Sequence, residues 1–334
     1  MFGFADSDLL NDLLINLNTG NKLNLDSLSE YSGKFKQKRL TEYVFLITKE
    51  LRLDPLAGYH AIELLQRFMV KQLADLLTAS TPPGAAADHP KSQEDAIYDN
   101  LKERLPLIVF SCVQLASKMS IHSRMIDSDT AVRFLRSVGH SVSKQALLES
   151  ELMVLKGLEF RLNVPNPLTY TEILLEVLGH NEPSVPVERL HHLCHHVLQF
   201  VTLERTAVYD SLLKATVQCV SPSREQREKF MTVTEDCMLL GVTVIAVAVF
   251  ILHVRRWQQV VGELSHITGI SQKSIRDFAH VTLQHITGSS ISAVMLPSRG
   301  AASETIDQES KSPRRLRQVA AVSCEVSLSA SGKE

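Results

Sequence analysis

Two side chains of opposite charge stand where this chain is otherwise apolar. Lys118 closes the run Leu107, Ile108, Val109, Phe110, Cys112, Val113, Leu115, Ala116, which is hydrophobic on every face. Glu151 has Leu147, Leu148, Val154, Leu155 and Leu158 around it at helical spacing, which puts it in a buried stripe rather than on a wet face. A carboxylate in such a place needs a compensating charge, and Lys118 is the candidate. Taken separately, each residue has a plainer role: Lys118 could complement a helix C-terminus, and Glu151 could snorkel to solvent. The chemistry on offer is ion pairing inside a helical core.

Bond-making chemistry finds no home. There is no Gly-rich phosphate loop and no kinase catalytic loop or metal-binding triplet, so the chain is expected to be non-enzymatic, with no catalytic residue and no cofactor. His191, His192, Cys194, His195 and His196 crowd one segment, and His192 with His196 has the i, i+4 spacing of a zinc pair. No Glu sits between them as in His-Glu-x-x-His, and no outlying ligand is obvious. They are read as solvated or pH-responsive histidines, and no metal is expected. Five cysteines (Cys112, Cys194, Cys219, Cys237, Cys324) without a Cys-x-x-Cys pair read as reduced, intracellular thiols.

The elements that would position these groups are helices. Helical periodicity runs from Leu40 to Ile286 and no segment alternates as a half-buried strand does, so the fold class is all-α. Asp54-Pro55 can start a helix, Leu105-Pro106 another, and Ser141 or Ser143 can cap the helix of Glu151. Pro165, Pro167, Pro183 and Pro186 fall between segments. With 334 residues and 44% hydrophobic content, two cores of ordinary size are expected. Met238 to Leu252 is apolar but only fifteen residues long, short of the roughly 20 that cross a bilayer, so it is expected to be a core helix, with no membrane partner. The N-terminus shows no secretory pattern. A net charge of −2 supplies no basic field for a phosphate backbone, so direct nucleic-acid binding is not expected.

Leu115-Ala116-Ser117-Lys118, together with Glu151 in the order Glu-x-x-Val-Leu-x-x-Leu-x-Phe through Phe160, resembles the central signature of the cyclin box. Tyr43 to Leu53 and Ala61 to Phe68 look like the first two cyclin-box helices, the second ending in Arg67-Phe68. Phe160 to Pro165 is similar to the segment that leaves the first box. The resemblance implies tandem cyclin-like five-helix folds, the second more divergent. An amphipathic, flexible segment (1–35) precedes the first box (36–164), which carries a flexible insertion at 78–95; the second helical set (165–288) and a disordered tail (289–334) follow. In the second set, 221–234 is charged and reads as inserted. Leu10-Asn11-Asp12-Leu13-Leu14 also fits a receptor-docking pattern, but packing of a leucine-rich helix is the reading adopted.

In cyclins the Lys–Glu pair organises the face that grips a cyclin-dependent kinase, so Lys118 and Glu151 are expected to face such a partner. The family's substrate groove, Met-Arg-Ala-Ile-Leu-x-x-Trp, is replaced by Lys36 to Tyr43. Arg39, Leu40 and Tyr43 are thereby expected to line a degraded, more basic groove. The altered groove within this arrangement resembles a divergent cyclin-like branch serving meiotic recombination, which implies a nuclear site, possible presence in the cytoplasm, and meiotic crossover proteins as partners. A kinase-independent scaffold and a DNA-binding cyclin fold are the alternatives. Ser221 and Ser312 each stand in Ser-Pro-x-Arg, a pattern preferred by proline-directed kinases.

Overall fold

A computed structural model describes residues 6–79, 90–120, 125–163 and 166–294. Ser312, Cys324, residues 80–89 of the expected insertion and all of the expected tail from 295 onward lie outside the described residues. Those described form thirteen α-helices and one 3₁₀ turn, with no strand among them. They divide into two compact units, one built from 31–163 and the other from 6–30 together with 166–294.

The first unit holds α2 (Lys38–Glu50), α3 (Pro55–Ala79), α4 (Pro90–Met119), α5 (Ser128–Ser137) and α6 (Lys144–Gly157). Its core is centred on α4, whose Leu105, Ile108, Val109, Phe110, Cys112, Val113, Leu115 and Ala116 are all buried. An apolar surface on every side of a helix has to be covered on every side, and α2, α3 and α6 pack around it. Phe110 stacks on Phe134 of α5 with ring centroids 5.5 Å apart. The helix starts follow local chemistry. Asp54 accepts from the Leu56 N–H at 2.8 Å ahead of Pro55, Asp127 accepts from the Thr130 N–H at 2.8 Å, and Ser143 accepts from the Ala146 N–H at 3.0 Å. The Thr130 N–H and hydroxyl hold the Asp127 carboxyl below its ordinary range. Gly157 marks the closest approach of α6 to α3, since a Cβ there would lie 2.5 Å from the Phe68 ring.

Three expectations need correcting here. Pro106 lies inside α4 rather than at a helix start, and residues 90–95, assigned to the insertion, open that helix. Packing of the following apolar turns on both sides outweighs the one hydrogen bond a proline removes. Arg67-Phe68 does not end a helix either, because α3 continues to Ala79 with Met69 and Leu73 still buried.

The second unit is centred on α11 (Cys237–His253), buried without interruption from Cys237 to Val249. Around it pack α7 (Pro167–Asn181), α8 (Val187–Leu203), α12 (Trp257–Thr268) and α13 (Gln272–Val294). That burial makes Met238 to Val249 of the expected stretch a core helix, while Phe250, Ile251 and Leu252 at its end are exposed. Residues 221–234 are not an irregular insertion: Arg224–Thr234 forms α10, which packs on α9 (Arg205–Val217). The start of α10 is a capping box in which Ser223 accepts from the Gln226 N–H and the Gln226 side chain accepts from the Ser223 N–H. Residues 289–294, assigned to the tail, continue α13, because extending a formed helix gains one hydrogen bond per residue without a new nucleus.

The N-terminal segment forms a packed helix. α1 (Ser7–Asp26) buries Leu10 and Leu17 and packs on α7 and α11. The Leu17 carbonyl accepts from the Tyr170 hydroxyl at 3.0 Å. Asn21 donates to Asp236 at 2.9 Å and accepts from the Cys237 N–H at 3.1 Å, so α1 is fastened to the start of the central helix.

Candidate functional site

Lys118 and Glu151 meet. The lysine stands in the last turn of α4 and Glu151 in the middle of α6, and the Nζ donates directly to the Glu151 Oε1. Two turns back along α4, and one residue back along α6, the seam is closed by a buried hydrogen bond from the Ser111 hydroxyl to that of Ser150, at 2.9 Å. The Glu151 side chain is 8% exposed and that of Lys118 39% exposed, so the pair spans the rim of the core instead of lying wholly within it. The asymmetry follows from the elements. Glu151 shares the inward stripe with Leu147, Ser150 and Val154, whereas Lys118 sits where α4 runs out and its four-carbon stem carries the ammonium to the edge. The same lysine is placed to complement the C-terminal dipole of α4, so its two roles coexist.

The stripe also needs one revision. Leu148, assigned to the buried side, is exposed, as is Leu152 four residues on, so α6 shows solvent two leucines on one face beside the Glu151 seam. Phe160, just past the helix, is exposed too. Glu159 and Phe160 both have left-handed backbone, with φ 53° and 58°. The segment after them is stitched to α3: Lys71 pairs with Glu159, the Arg67 guanidinium donates to the Arg161 carbonyl at 2.8 Å, and the His60 ring lies 2.9 Å from the Leu162 carbonyl. The Lys71 ammonium, ahead of Arg161, holds the Glu159 carboxyl below its ordinary range.

The substrate-groove expectation does not survive in its original form. Leu40 and Tyr43 are each 1% exposed and belong to the core on which α2 packs; of the three residues, only Arg39 faces solvent. Helical register accounts for this, since Leu40, Tyr43, Val44 and Ile47 form the apolar stripe of α2 and must face inward. Nor does Lys36 make the surface basic. It is buried and neutralised by Glu63 of α3 at 2.8 Å.

Several charged contacts were not anticipated. Glu63 carried the same signal as Glu151, a lone carboxylate among Ala61, Ile62, Leu64 and Leu65. The partly buried Arg205 and the buried Glu235 pair at 2.6 Å in the second unit, and their sequence neighbours Glu204 and Asp236 disguise them as solvated charges. Among the histidines, the His196 ring turns to the His192 carbonyl at 2.7 Å, so His192 and His196 do not pair. His191 and His195 do come together, and Glu172 of α7 is the outlying carboxylate missing from the sequence reading. Ser221 is exposed in the link between α9 and α10. Burial pushes the Cys112 and Cys194 thiols up, which suits inert core cysteines.

A five-helix unit around an apolar central helix, with a lysine from that helix locked to a buried glutamate, followed by a second helical unit around its own apolar helix, defines an all-α protein of the cyclin-like class. No protein-family model matches the chain. Among curated proteins it is similar to Cyclin N-terminal domain-containing protein 1 of Mus musculus, 39% identical over 287 residues that cover 86% of each chain. It is also similar to the Homo sapiens protein of the same name, 40% identical over 287 residues, covering 86% of this chain and 87% of that one. The chain therefore belongs to the family of cyclin N-terminal domain-containing proteins.

Proposed function

We propose that this chain is a nuclear, non-catalytic regulatory subunit that promotes crossover maturation in meiotic recombination by binding a cyclin-dependent kinase, crossover proteins, or both. The observation that carries the reading is the Lys118–Glu151 pair: a buried carboxylate and a rim lysine fix the C-terminal end of α4 against α6. The exposed Leu148 and Leu152 on α6 lie beside this seam and supply apolar surface of the kind a partner helix covers. The meiotic placement rests on the resemblance of the altered Lys36 to Tyr43 stretch, in its whole arrangement, to the recombination branch of cyclin-like proteins.

A second reading, a kinase-independent scaffold, is favoured by the burial of Leu40 and Tyr43, which takes from α2 the surface that would recruit Arg-x-Leu substrates. Affinity purification of the full chain from cells entering meiosis, followed by mass spectrometry, separates the two. The kinase-binding form of the first reading expects a cyclin-dependent kinase among the recovered proteins. Recovery of crossover proteins with no kinase supports the scaffold, and recovery of neither contradicts both.

A further inference from the structure

Across the α7–α8 seam, three potential metal ligands converge. Glu172 comes from α7, while His191 and His195 lie one helical turn apart on α8. The His195 Nε2 lies 3.0 Å from the His191 Nε2, and the Glu172 Oε1 is 3.2 Å from the His191 Nε2 and 3.4 Å from the His195 Nε2. All three residues are partly buried, with side-chain exposures of 26%, 26% and 37%.

Hydrogen bonding does not account well for this triangle. A carboxylate oxygen only accepts, so satisfying it from both rings requires a proton on each Nε2. Two protonated Nε2 atoms cannot then approach each other at 3.0 Å, because two N–H groups would point into the same space. A single shared cation removes the conflict. Zinc bonds imidazole nitrogen at roughly 2.0–2.1 Å and carboxylate oxygen at roughly 2.0–2.2 Å, so the edges of its tetrahedron are about 3.3 Å long. The three separations measured here bracket that length.

We infer that Glu172, His191 and His195 form a zinc site that clips α7 to α8, with solvent as the fourth ligand. The ligand set, two imidazoles and one carboxylate, suits a borderline divalent transition metal rather than magnesium or calcium, which take oxygen ligands. The clip spans a Pro183- and Pro186-containing turn between the two helices and holds their packing in one register. His192 and His196 take no part: both are exposed on the neighbouring face of α8, and the His196 ring is turned to the His192 carbonyl.

The test uses the full chain without a polyhistidine tag, titrated with zinc in competition with a chromophoric chelator, and with cobalt as a spectroscopic stand-in. One equivalent of zinc should bind, with intense visible cobalt bands of a tetrahedral site. Glu172→Gln, His191→Asn and His195→Asn should each weaken binding by more than the roughly 100-fold that is the upper end of what loss of an outer-shell partner costs a zinc site. His192→Asn and His196→Asn should leave it unchanged. Far-UV helicity of each variant shows that the fold persists. Absence of stoichiometric binding, or binding that survives in the His191→Asn, His195→Asn double variant, overturns the assignment.

Discussion

Glu151 is held by a lysine that itself stays half in water, and this asymmetry sets what each substitution does. Removing Lys118 leaves a carboxylate buried on α6 without its cation, whereas replacing Glu151 frees an ammonium that can already reach solvent. Lys118→Ala is expected to cost about 1–2 kcal/mol, less than a fully buried pair would lose, because solvent screens the exposed lysine. Glu151→Leu is expected to cost less than Lys118→Ala, since a leucine fits the stripe beside Leu147 and Val154. Urea denaturation of the two variants, followed by helicity, checks the order; a larger loss for Glu151→Leu contradicts it. At this scale the sequence was informative wherever a charge interrupted an apolar run, as at Glu151. It was silent at Arg205–Glu235, where flanking charges mask burial, and at Glu172, whose two histidine partners lie on the next helix.

Helices read clearly from the sequence when their ends carried capping chemistry and their faces carried period. Asp54-Pro55 and Ser143 mark starts that the structure reproduces, and the buried run of α11 was plain from composition alone. α10 was overlooked because its face is nearly all charged, although Ser223 and Gln226 already held the capping-box pattern. Pro106 misled in the opposite direction, since tertiary packing overrode a local breaker. One cap also takes part in the attachment of α1. Asp236 accepts from the Leu239 N–H at 2.9 Å as the N-cap of α11, and from Asn21 of α1 at the same distance. Asp236→Ala should therefore cost roughly 1–2 kcal/mol by losing a cap and a tertiary hydrogen bond together. Hydrogen exchange should accelerate across Ser7–Asp26 as well as at the first turn of α11; faster exchange confined to α11 argues against the anchoring role.

For the whole molecule, an all-α chain with two apolar central helices was legible because a helix that is hydrophobic all round can only be stable when surrounded. The membership of 6–30 in the unit of 166–294 was not, because it rests on Tyr170, Asn21 and Asp236 contacts between residues more than a hundred positions apart. Each unit carries one candidate site: the Lys118–Glu151 seam in the first and the Glu172, His191, His195 cluster in the second. In the proposed function, the first of these shapes a surface for a partner kinase. Its most direct test is recovery of a cyclin-dependent kinase from meiotic cells by the full chain bearing Lys118→Glu or Glu151→Lys, with helicity verified for each. Kinase recovery should fall to background for both single reversals, and undiminished recovery by two folded variants would contradict the claim.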